Sequence, residues 1–451
     1  MRAAVRAKAA QAISAAASLT GKRFGLLVAS SVVATAAVVA SAITGTGGSG
    51  ALAALLARNL GAHNAAALGA PAESGAPVES AVPPASEGSA PAAAPEPSYL
   101  PPTAAPAPAP ASEPAAEGPT KEAPGPAPEA GPVKHVFVIS LTSPGYERAF
   151  GAQSQMPYLS GTLRPQGLLL DHYAPLDAGA LPNGIAAISG QPPNPATKAG
   201  CPEYEAFAAA ADKRGLLRGA GCVYPVETLT IADQLTLTKQ GWRAYVGGMV
   251  DEAGKPANCV HPSPGEPSTA AQPGGYAAAQ NPFAYFHSLL DLGDCAENDA
   301  PLARLEGDLA KAEKAPGYAF IAPTPCEAGS AGQCPAGAPE GAAAADAFLS
   351  TWVPKILAAP AYEAGGALIV AFSAVDPAEP GGPAPAGEEL RTGALVVSPF
   401  AQPGGTDSAP YDTYSLLRSS EELLGLEPLG LAAAAKVKSF AAALSQQNGG
   451  D

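Results

Sequence analysis

The residues with the clearest chemistry in this chain are six cysteines, all of them after residue 200. An even number without any C-x-x-C pair favours disulfides over zinc sites or dithiol redox sites. Six cysteines allow 15 pairings. Among these we predict pairing between neighbours along the chain: Cys201–Cys222, Cys259–Cys295 and Cys326–Cys334. The last pair brackets EAGSAGQ, which holds no histidine and no aspartate.

Three aspartates provide carboxylates near the ends of predicted strands: Asp177, Asp376 and Asp412. A few carboxylates can hold a calcium ion weakly, but aspartates in solvated loops are far commoner. We therefore predict no metal site at these residues.

Alternating strands and helices must position these side chains. Hydrophobic patterning predicts strands at 135–141, 167–173, 242–246, 318–321, 367–372 and 394–398, and helices at 156–164, 181–189, 231–238, 342–357 and 411–424. This alternation indicates an α/β fold, a three-layer α/β/α sandwich with a mostly parallel sheet. In such a fold, chemistry is expected beyond the carboxyl ends of the strands.

The N-terminal part has the features of a membrane address. Residues 1–23 carry five arginines and lysines and precede 24–43 (FGLLVASSVVATAAVVASAI), twenty uncharged residues that suffice for a transmembrane helix. Basic residues before this segment predict a single pass with the C-terminal domain extracytoplasmic. Because Ala40-Ser41-Ala42 also fits a cleavage site, secretion after cleavage near Ala42 is the alternative; we favour the uncleaved anchor.

A proline-rich spacer separates this segment from the globular part. After a juxtamembrane segment at 44–70, to which we assign no function, residues 71–132 hold 18 of the 50 prolines. Such a composition predicts a disordered, extended spacer. The globular domain then spans 133–445. The net charge of −15 argues against nucleic acid as a partner.

Six segments of the globular part carry a family resemblance. They are LPNGIAAISGQPPN (181–194), GCVYPVETLTIADQL (221–235), GWRAYVGGM (241–249), NPFAYFHSL (281–289), ADAFLSTWVPKILAAPAY (345–362) and YDTYSLLRSSEELLGL (411–426). In this order and spacing they resemble the bacterial phosphoesterase family of phospholipases C and acid phosphatases, within the alkaline phosphatase superfamily. The resemblance covers about residues 134–440 and implies an alkaline-phosphatase-like fold.

The resemblance also implies a chemistry. Family members hydrolyse phosphate esters with a hydroxyl nucleophile and divalent metal ions, which carboxylates, an asparagine and histidines hold at the strand ends. The metal screens phosphate charge and helps to ionise the nucleophile. Without it, a serine or threonine hydroxyl is a poor nucleophile near neutral pH.

This chain departs from the family pattern at every one of those positions. The first strand is followed by Thr-Ser instead of Glu-Asn, the loop C-N-D-G-H-D-x-x-C reads CEAGSAGQC, T-F-D-E reads AFSA, and Y-x-H-Y-S reads YDTYS. The nucleophile before L-P-N is replaced by alanine, and a shift of one residue gives Gly179. No histidine of the domain matches a ligand position. The nine replaced positions are Thr142, Ser143, Ala180, Ala328, Ser330, Ala331, Ser373, Ala374 and Thr413.

Three functions from different classes fit these observations. The first, which we favour, is a surface-anchored and catalytically inactive phosphoesterase homologue, a pseudoenzyme without cofactor, which binds an unknown ligand or envelope partner at the strand-end cleft. The second is an active phosphoesterase that uses a site unlike the family's. The third is a structural envelope protein whose domain occupies the end of the spacer.

Overall fold

A computed structural model describes residues 133–208, 211–212, 214–268, 273–311, 314–375 and 390–444. The predicted transmembrane helix, the spacer and Asp376 lie outside these residues. In the described part of the chain, no helix is both long enough and apolar enough to cross a bilayer.

Ten strands make up the sheets in the described part of the chain. They are β1 His135–Ser143, β2 Leu168–Leu170, β3 Tyr173–Ala174, β4 Trp242–Val246, β5 Asp299–Pro301, β6 Tyr318–Ala322, β7 Gly366–Val375, β8 Ala394–Val397, β9 Thr406–Asp407 and β10 Tyr411–Asp412. Eight of them form one sheet in the order β5-β4-β6-β1-β7-β8-β2-β9. Only β8 runs antiparallel to its neighbours, β7 and β2, while β3 and β10 form a separate parallel pair.

The helices connect these strands. The α-helices are α1 Tyr146–Ala149, α2 Ala180–Ser189, α3 Pro195–Lys198, α4 Ile231–Thr238, α5 His287–Leu290, α6 Asp294–Asn298, α7 Arg304–Leu309, α8 Pro325–Ala328, α9 Gly341–Leu357, α10 Pro360–Glu363 and α11 Thr413–Leu423. Short 3₁₀ turns occur at Arg164–Gln166, Ala278–Gln280, Pro282–Tyr285, Gly430–Ala433 and Ala441–Leu444, and a π-helical turn at Tyr158–Leu163.

Hydrophobic cores cover both faces of the sheet. Along β1, the buried side chains of Val136 and Val138 join one core, and those of Phe137, Ile139 and Leu141 join the other. Because successive side chains of a strand point to opposite faces, a strand with an unbroken apolar run such as 136–139 must be covered on both sides. The predicted three-layer sandwich with a mostly parallel sheet is therefore confirmed.

Three predicted elements differ from the observed ones. The predicted helix at 156–164 is a π-helical turn followed by a 3₁₀ turn, where Pro165 has no N–H to continue an α-helix. The predicted strand at 167–173 is interrupted by a turn at Asp171 and His172. The predicted helix at 411–424 begins only at Thr413, because Tyr411 and Asp412 first pair with β3.

Candidate functional site

The nine replaced positions lie at the carboxyl edge of the sheet, as the resemblance predicts. They occupy the ends of β1 and β7, the start of α2, the end of α8 with the loop after it, and the start of α11: Thr142, Ser143, Ser373, Ala374, Ala180, Ala328, Ser330, Ala331 and Thr413. Hydrogen bonds that involve side chains connect all five segments.

Two hydroxyl pairs join neighbouring segments of the edge. The register between β1 and β7 shifts after Leu141, so that Ser373 becomes the extra residue of a bulge. Its hydroxyl forms a hydrogen bond with that of Ser140 on β1. Two residues further along β1, Thr142 Oγ1 lies 3.0 Å from Ser330 Oγ in the loop after α8. Both pairs are neutral.

Asn183 is the centre of this network. It lies in the first turn of α2 with no exposed surface. Its Nδ2 donates to the carbonyls of Asp177, Gly179 and Ser373, at 2.7, 2.8 and 2.9 Å. Its Oδ1 accepts from Leu176 N at 2.7 Å and from Thr413 Oγ1 at 3.1 Å. One amide therefore fixes the loop before α2 against β7 and α11.

Thr413 and its neighbours close the site from the side of α11. Thr413 is buried. Burial raises the pKa of Tyr173, and the nearby Thr413 side chain opposes the shift. Asp412 caps α11, because its Oδ1 accepts from Ser415 N at 2.9 Å and from Ser415 Oγ at 3.2 Å.

Asp177, in the loop before α2, is the charged residue closest in sequence to the nucleophile position. Asp177 Oδ1 accepts from Gly179 N at 3.1 Å, and Lys198 Nζ lies 3.0 Å from Asp177 Oδ2. Ala180 follows as the first residue of α2, whose N-cap, Gly179, makes no side-chain capping bond. Asp177 and Asp412 are thus occupied in separate contacts.

The disulfide-closed loop packs directly on the end of β1. Thr324 and Glu327 form a capping box at the start of α8. Gly329 then has a φ of 100°, a region that side chains avoid. A β-carbon there would lie 3.2 Å from Ala345 Cβ, Gly341 O and Thr142 O. Glycine therefore permits the close approach that brings Ser330 to Thr142.

Comparison with models of known protein families identifies the family of this chain. The model of the Phosphoesterase family matches residues 150–427, more than half of the chain. The chain belongs to the phosphoesterase family. The predicted family is thereby confirmed, and the mostly parallel sheet with its strand-end site is the architecture expected of it.

Solved structures of other proteins are similar at low identity. An alkaline phosphatase superfamily protein from Vibrio parahaemolyticus is 14% identical over 67% of this chain and 68% of that one, with a TM-score of 0.42. The lipoteichoic acid synthase LtaP from Listeria monocytogenes is 9% identical over 67% and 75%, with a TM-score of 0.40. A phosphonate monoester hydrolase from Silicibacter pomeroyi is 12% identical over 69% and 76%, with a TM-score of 0.38. A search of curated proteins found no significant match.

The residues of this phosphoesterase-family domain do not fit the divalent metal ions that the resemblance implies. The strand-end positions supply hydroxyls and alanines where carboxylates and imidazoles would be needed, and Thr142, Ser330, Ser373 and Thr413 use their hydroxyls on protein partners. Within the described ranges, one group of three potential ligands comes together, Cys259, Cys295 and Asp299. Both cysteines of that group are bonded to each other.

An open cavity of about 600 Å³ lies beside the family site on the same edge of the sheet. The segments after β4, β5 and β6 line it, and its walls are largely apolar: Met249, Val250, Leu302, Pro335 and Trp352. A smaller hollow of about 240 Å³ shares Cys326, Glu327, Ala338 and Trp352 with it. No sequence pattern predicted this cavity, and its one local signal was the Gly-Gly pair at 247–248, which follows β4 without side chains.

The three disulfides connect the predicted pairs: Cys201–Cys222, Cys259–Cys295 and Cys326–Cys334. The histidines of the domain make other contacts. His135 and His261 face the carbonyls of Pro316 and Pro262, and His172 and His287 face Asp171 and Asp291.

Proposed function

We propose that this protein is a catalytically inactive member of the phosphoesterase family, held outside the cytosol by its N-terminal segment, and that it acts by binding rather than by turnover. The observation that carries the proposal is the neutral hydrogen-bond network at the strand ends. It replaces a metal-binding set with two hydroxyl pairs and one buried amide.

The nucleophile position supports the same conclusion. Ala180 has no hydroxyl to attack phosphorus, and the alternative alignment gives Gly179, which has none either. The nearby hydroxyls of Thr142 and Ser330 are paired with each other and have no neighbouring imidazole or carboxylate partner in any described hydrogen bond. Losing several catalytic groups that act as a unit leaves binding without catalysis.

The replacements are also compatible with a domain that needs no metal for its stability. Several carboxylates converging on one strand-end site would repel one another in the absence of a cation. Small neutral side chains avoid this repulsion and satisfy each other by hydrogen bonds. This arrangement supports the proposal that the fold does not depend on the family chemistry.

A hydrolysis assay with metal analysis tests the proposal. The purified full chain is assayed with p-nitrophenyl phosphate and bis(p-nitrophenyl) phosphate in the presence of zinc, manganese or calcium, and its metal content is measured after dialysis. We expect rates equal to those of buffer and far less than one metal ion per chain. Stoichiometric metal together with metal-dependent turnover would overturn the proposal.

The variants Asp177→Asn and Asp412→Asn serve as matched tests of a substitute site. If any turnover in the assay belongs to the protein, one of these carboxylates should be required for it. Turnover unchanged in both variants and removed by further purification would identify a contaminant and support inactivity.

A thermal-shift screen distinguishes a binding protein from a purely structural one. Phosphate esters and envelope glycans are added to the full chain, because a ligand that binds only the folded state raises Tm. A saturable rise in Tm with one class of compound supports binding.

For the anchor, we propose that the N-terminal helix is retained. Membrane fractionation should then recover the full-length chain, whereas a mature N-terminus near Ala42 would show cleavage.

A further inference from the structure

The Cys259–Cys295 disulfide has surroundings that set it apart from the other two. Cys259 is half-buried, whereas the remaining five cysteines are buried. On the inner side, Cys295 Sγ lies 3.7 Å from Asp299 Oδ2, and a carboxylate oxygen of Asp299 is within 4.8 Å of both sulfurs. One cysteine of the bridge is thus partly exposed to solvent, and a carboxyl group lies beside the other.

The carboxyl group of Asp299 is fully buried and accepts few hydrogen bonds from the protein. Asn281 Nδ2 donates to its Oδ2 at 2.7 Å, and Asp299 Oδ1 has no hydrogen-bond partner among the residues that the structure describes. Burial raises the pKa of Asp299 to about 7, and the hydrogen bond from Asn281 opposes that shift. At neutral pH a large share of the group therefore carries a proton.

We propose that Cys259–Cys295 is a cleavable disulfide, opened by an external dithiol, and that Asp299 is its built-in proton donor. The dithiol's thiolate attacks Cys259 Sγ, forming a mixed disulfide while the bond to Cys295 Sγ breaks. The Asp299 carboxyl gives its proton to the departing Cys295 sulfur and becomes a carboxylate. The second thiol of the reagent then loses its proton to water and attacks the first sulfur, which closes the cyclic disulfide and releases Cys259 as a thiolate that takes a proton from water.

This sequence transfers two electrons from the dithiol, which becomes a cyclic disulfide, to the bridge, which becomes two thiols. The proton on Asp299 matters because Cys295 is buried. A thiolate beside an ionised carboxylate would place two negative charges together away from water, which is strongly unfavourable. A neutral carboxyl avoids this pair of charges: once its proton has passed to the sulfur, only the charge of the Asp299 carboxylate remains.

Among the groups around the bridge, the Asp299 carboxyl is the one that we expect to gain or lose a proton near neutral pH. Tyr276 and Asn281 face it from the preceding loop, and burial raises the pKa of Tyr276 well above its usual value, so that the phenol stays neutral. Opposite it on β4 is Ala244, which has no charge. The helix α6, just before it, carries the two acidic residues Asp294 and Glu297.

Opening this bridge would release one wall of the apolar cavity. The segment after β4 contributes Gly247, Met249, Val250 and Pro256 to that wall, and Cys259 ties its far end to α6. The Asn258 side chain and the Cys259 backbone reinforce the same attachment, at 3.0 Å to Ala296 O and to Asp299 O. The disulfide is the only covalent part of this attachment within the described residues.

The experiment follows all three bridges of the native full chain at once. Dithiothreitol is added between pH 5.5 and 8.5, thiols are trapped with N-ethylmaleimide at timed intervals, and alkylated peptides are quantified by mass spectrometry. Rates are divided by the dithiol thiolate concentration at each pH. We expect Cys259–Cys295 to open about tenfold faster than the other bridges, with a normalised rate that falls about tenfold as pH rises through 7.

Two variants test the role of Asp299 as a positioned acid. Asp299→Asn should abolish the fall with pH, whereas Asn281→Ala, which removes the donor that lowers the pKa of this carboxyl, should move the fall to higher pH. Asp291→Asn, an exposed change on the neighbouring turn, should leave the profile unchanged. The proposal is overturned if another bridge opens first or if the pH step persists in Asp299→Asn; the other two disulfides report any general loosening.

Discussion

Two adjacent regions of the carboxyl edge have opposite character. At β1 and β7, the positions of the family site form a tight network of neutral hydrogen bonds around Asn183. At β4, β5 and β6, the same edge opens into a largely apolar cavity bounded by Trp352. The loop closed by Cys326 and Cys334 lies between them and contributes to both. One half of the edge is thus closed by side-chain hydrogen bonds, whereas the other half is open.

The strongest test of this contrast is removal of the centre of the network. Asn183→Ala should destabilise the domain by about 3 kcal/mol, because it leaves buried donors and carbonyls of three segments without partners. Urea unfolding measures the change. Gln333→Ala, an exposed position in the neighbouring loop, should change the stability by less than about 0.5 kcal/mol. A loss below about 1 kcal/mol for Asn183→Ala would mean that water replaces the amide and that the network is not closed.

The next largest effect concerns the loop that separates the two regions. Replacing both Cys326 and Cys334 by alanine should lower the free energy of unfolding by about 2.5 kcal/mol, as expected for a loop with a sequence separation of 8. The measurement is again urea unfolding, under non-reducing conditions. Because α8 keeps its capping box, we expect the native fold to persist; a loss of the near-ultraviolet circular dichroism would contradict this.

The cavity side should contribute to the pH dependence of stability through Asp299. The folded pKa of Asp299, about 7, is above its ordinary value of 3.8. Between these values the folded state binds a proton that the unfolded state lacks, so the contribution is present below about pH 4 and is lost as pH rises to about 7. Asp299→Asn should remove this loss. Between pH 4.5 and pH 7.5 its free energy of unfolding should therefore fall by about 2 kcal/mol less than that of the parent chain.

Unfolding of both proteins in urea at several pH values checks this expectation. Burial also raises the pKa of Asp233 and Glu421, so a weaker dependence with the same sign should remain in the variant. An identical pH profile for the variant and the parent chain would show that Asp299 does not contribute.

The smallest predicted effects compare single side chains of the two regions. Thr142→Val removes one hydroxyl of the pair with Ser330 and should cost about 1 kcal/mol. Val250→Ala, at a cavity position that is 39% exposed, should cost less than about 0.5 kcal/mol. Chemical denaturation of the two variants side by side decides the ranking, and equal costs would remove the distinction between a packed and an open half.

The features predictable from the sequence are those set by local pattern. Continuous apolar runs predicted β1, β4 and β7, and helical periodicity predicted α2, α4 and α9, because both depend on residues that are near one another in the chain. The cysteine order likewise predicted the three pairings. The family motifs placed the replaced positions at the strand ends.

The contacts inside the site required the tertiary structure. Ser140 pairs with Ser373 only because a bulge displaces β7 by one residue, and no local pattern signals that shift. Asn183 attracted attention only as part of an L-P-N motif, although a buried asparagine in the first turn of an apolar helix is a signal in itself. The cavity is formed by loop segments after three strands, whose relative placement depends on the sheet order.

The arrangement of the disulfides has a consequence for biosynthesis. The three bridges are consecutive along the chain and do not overlap, with sequence separations of 21, 36 and 8. A chain that emerges amino end first therefore never has more than one cysteine waiting for its native partner. Shorter loops also cost less entropy to close. Oxidation during emergence selects the native pairing by order alone, and scrambled isomers should form mainly when a completed chain is oxidised from its reduced state.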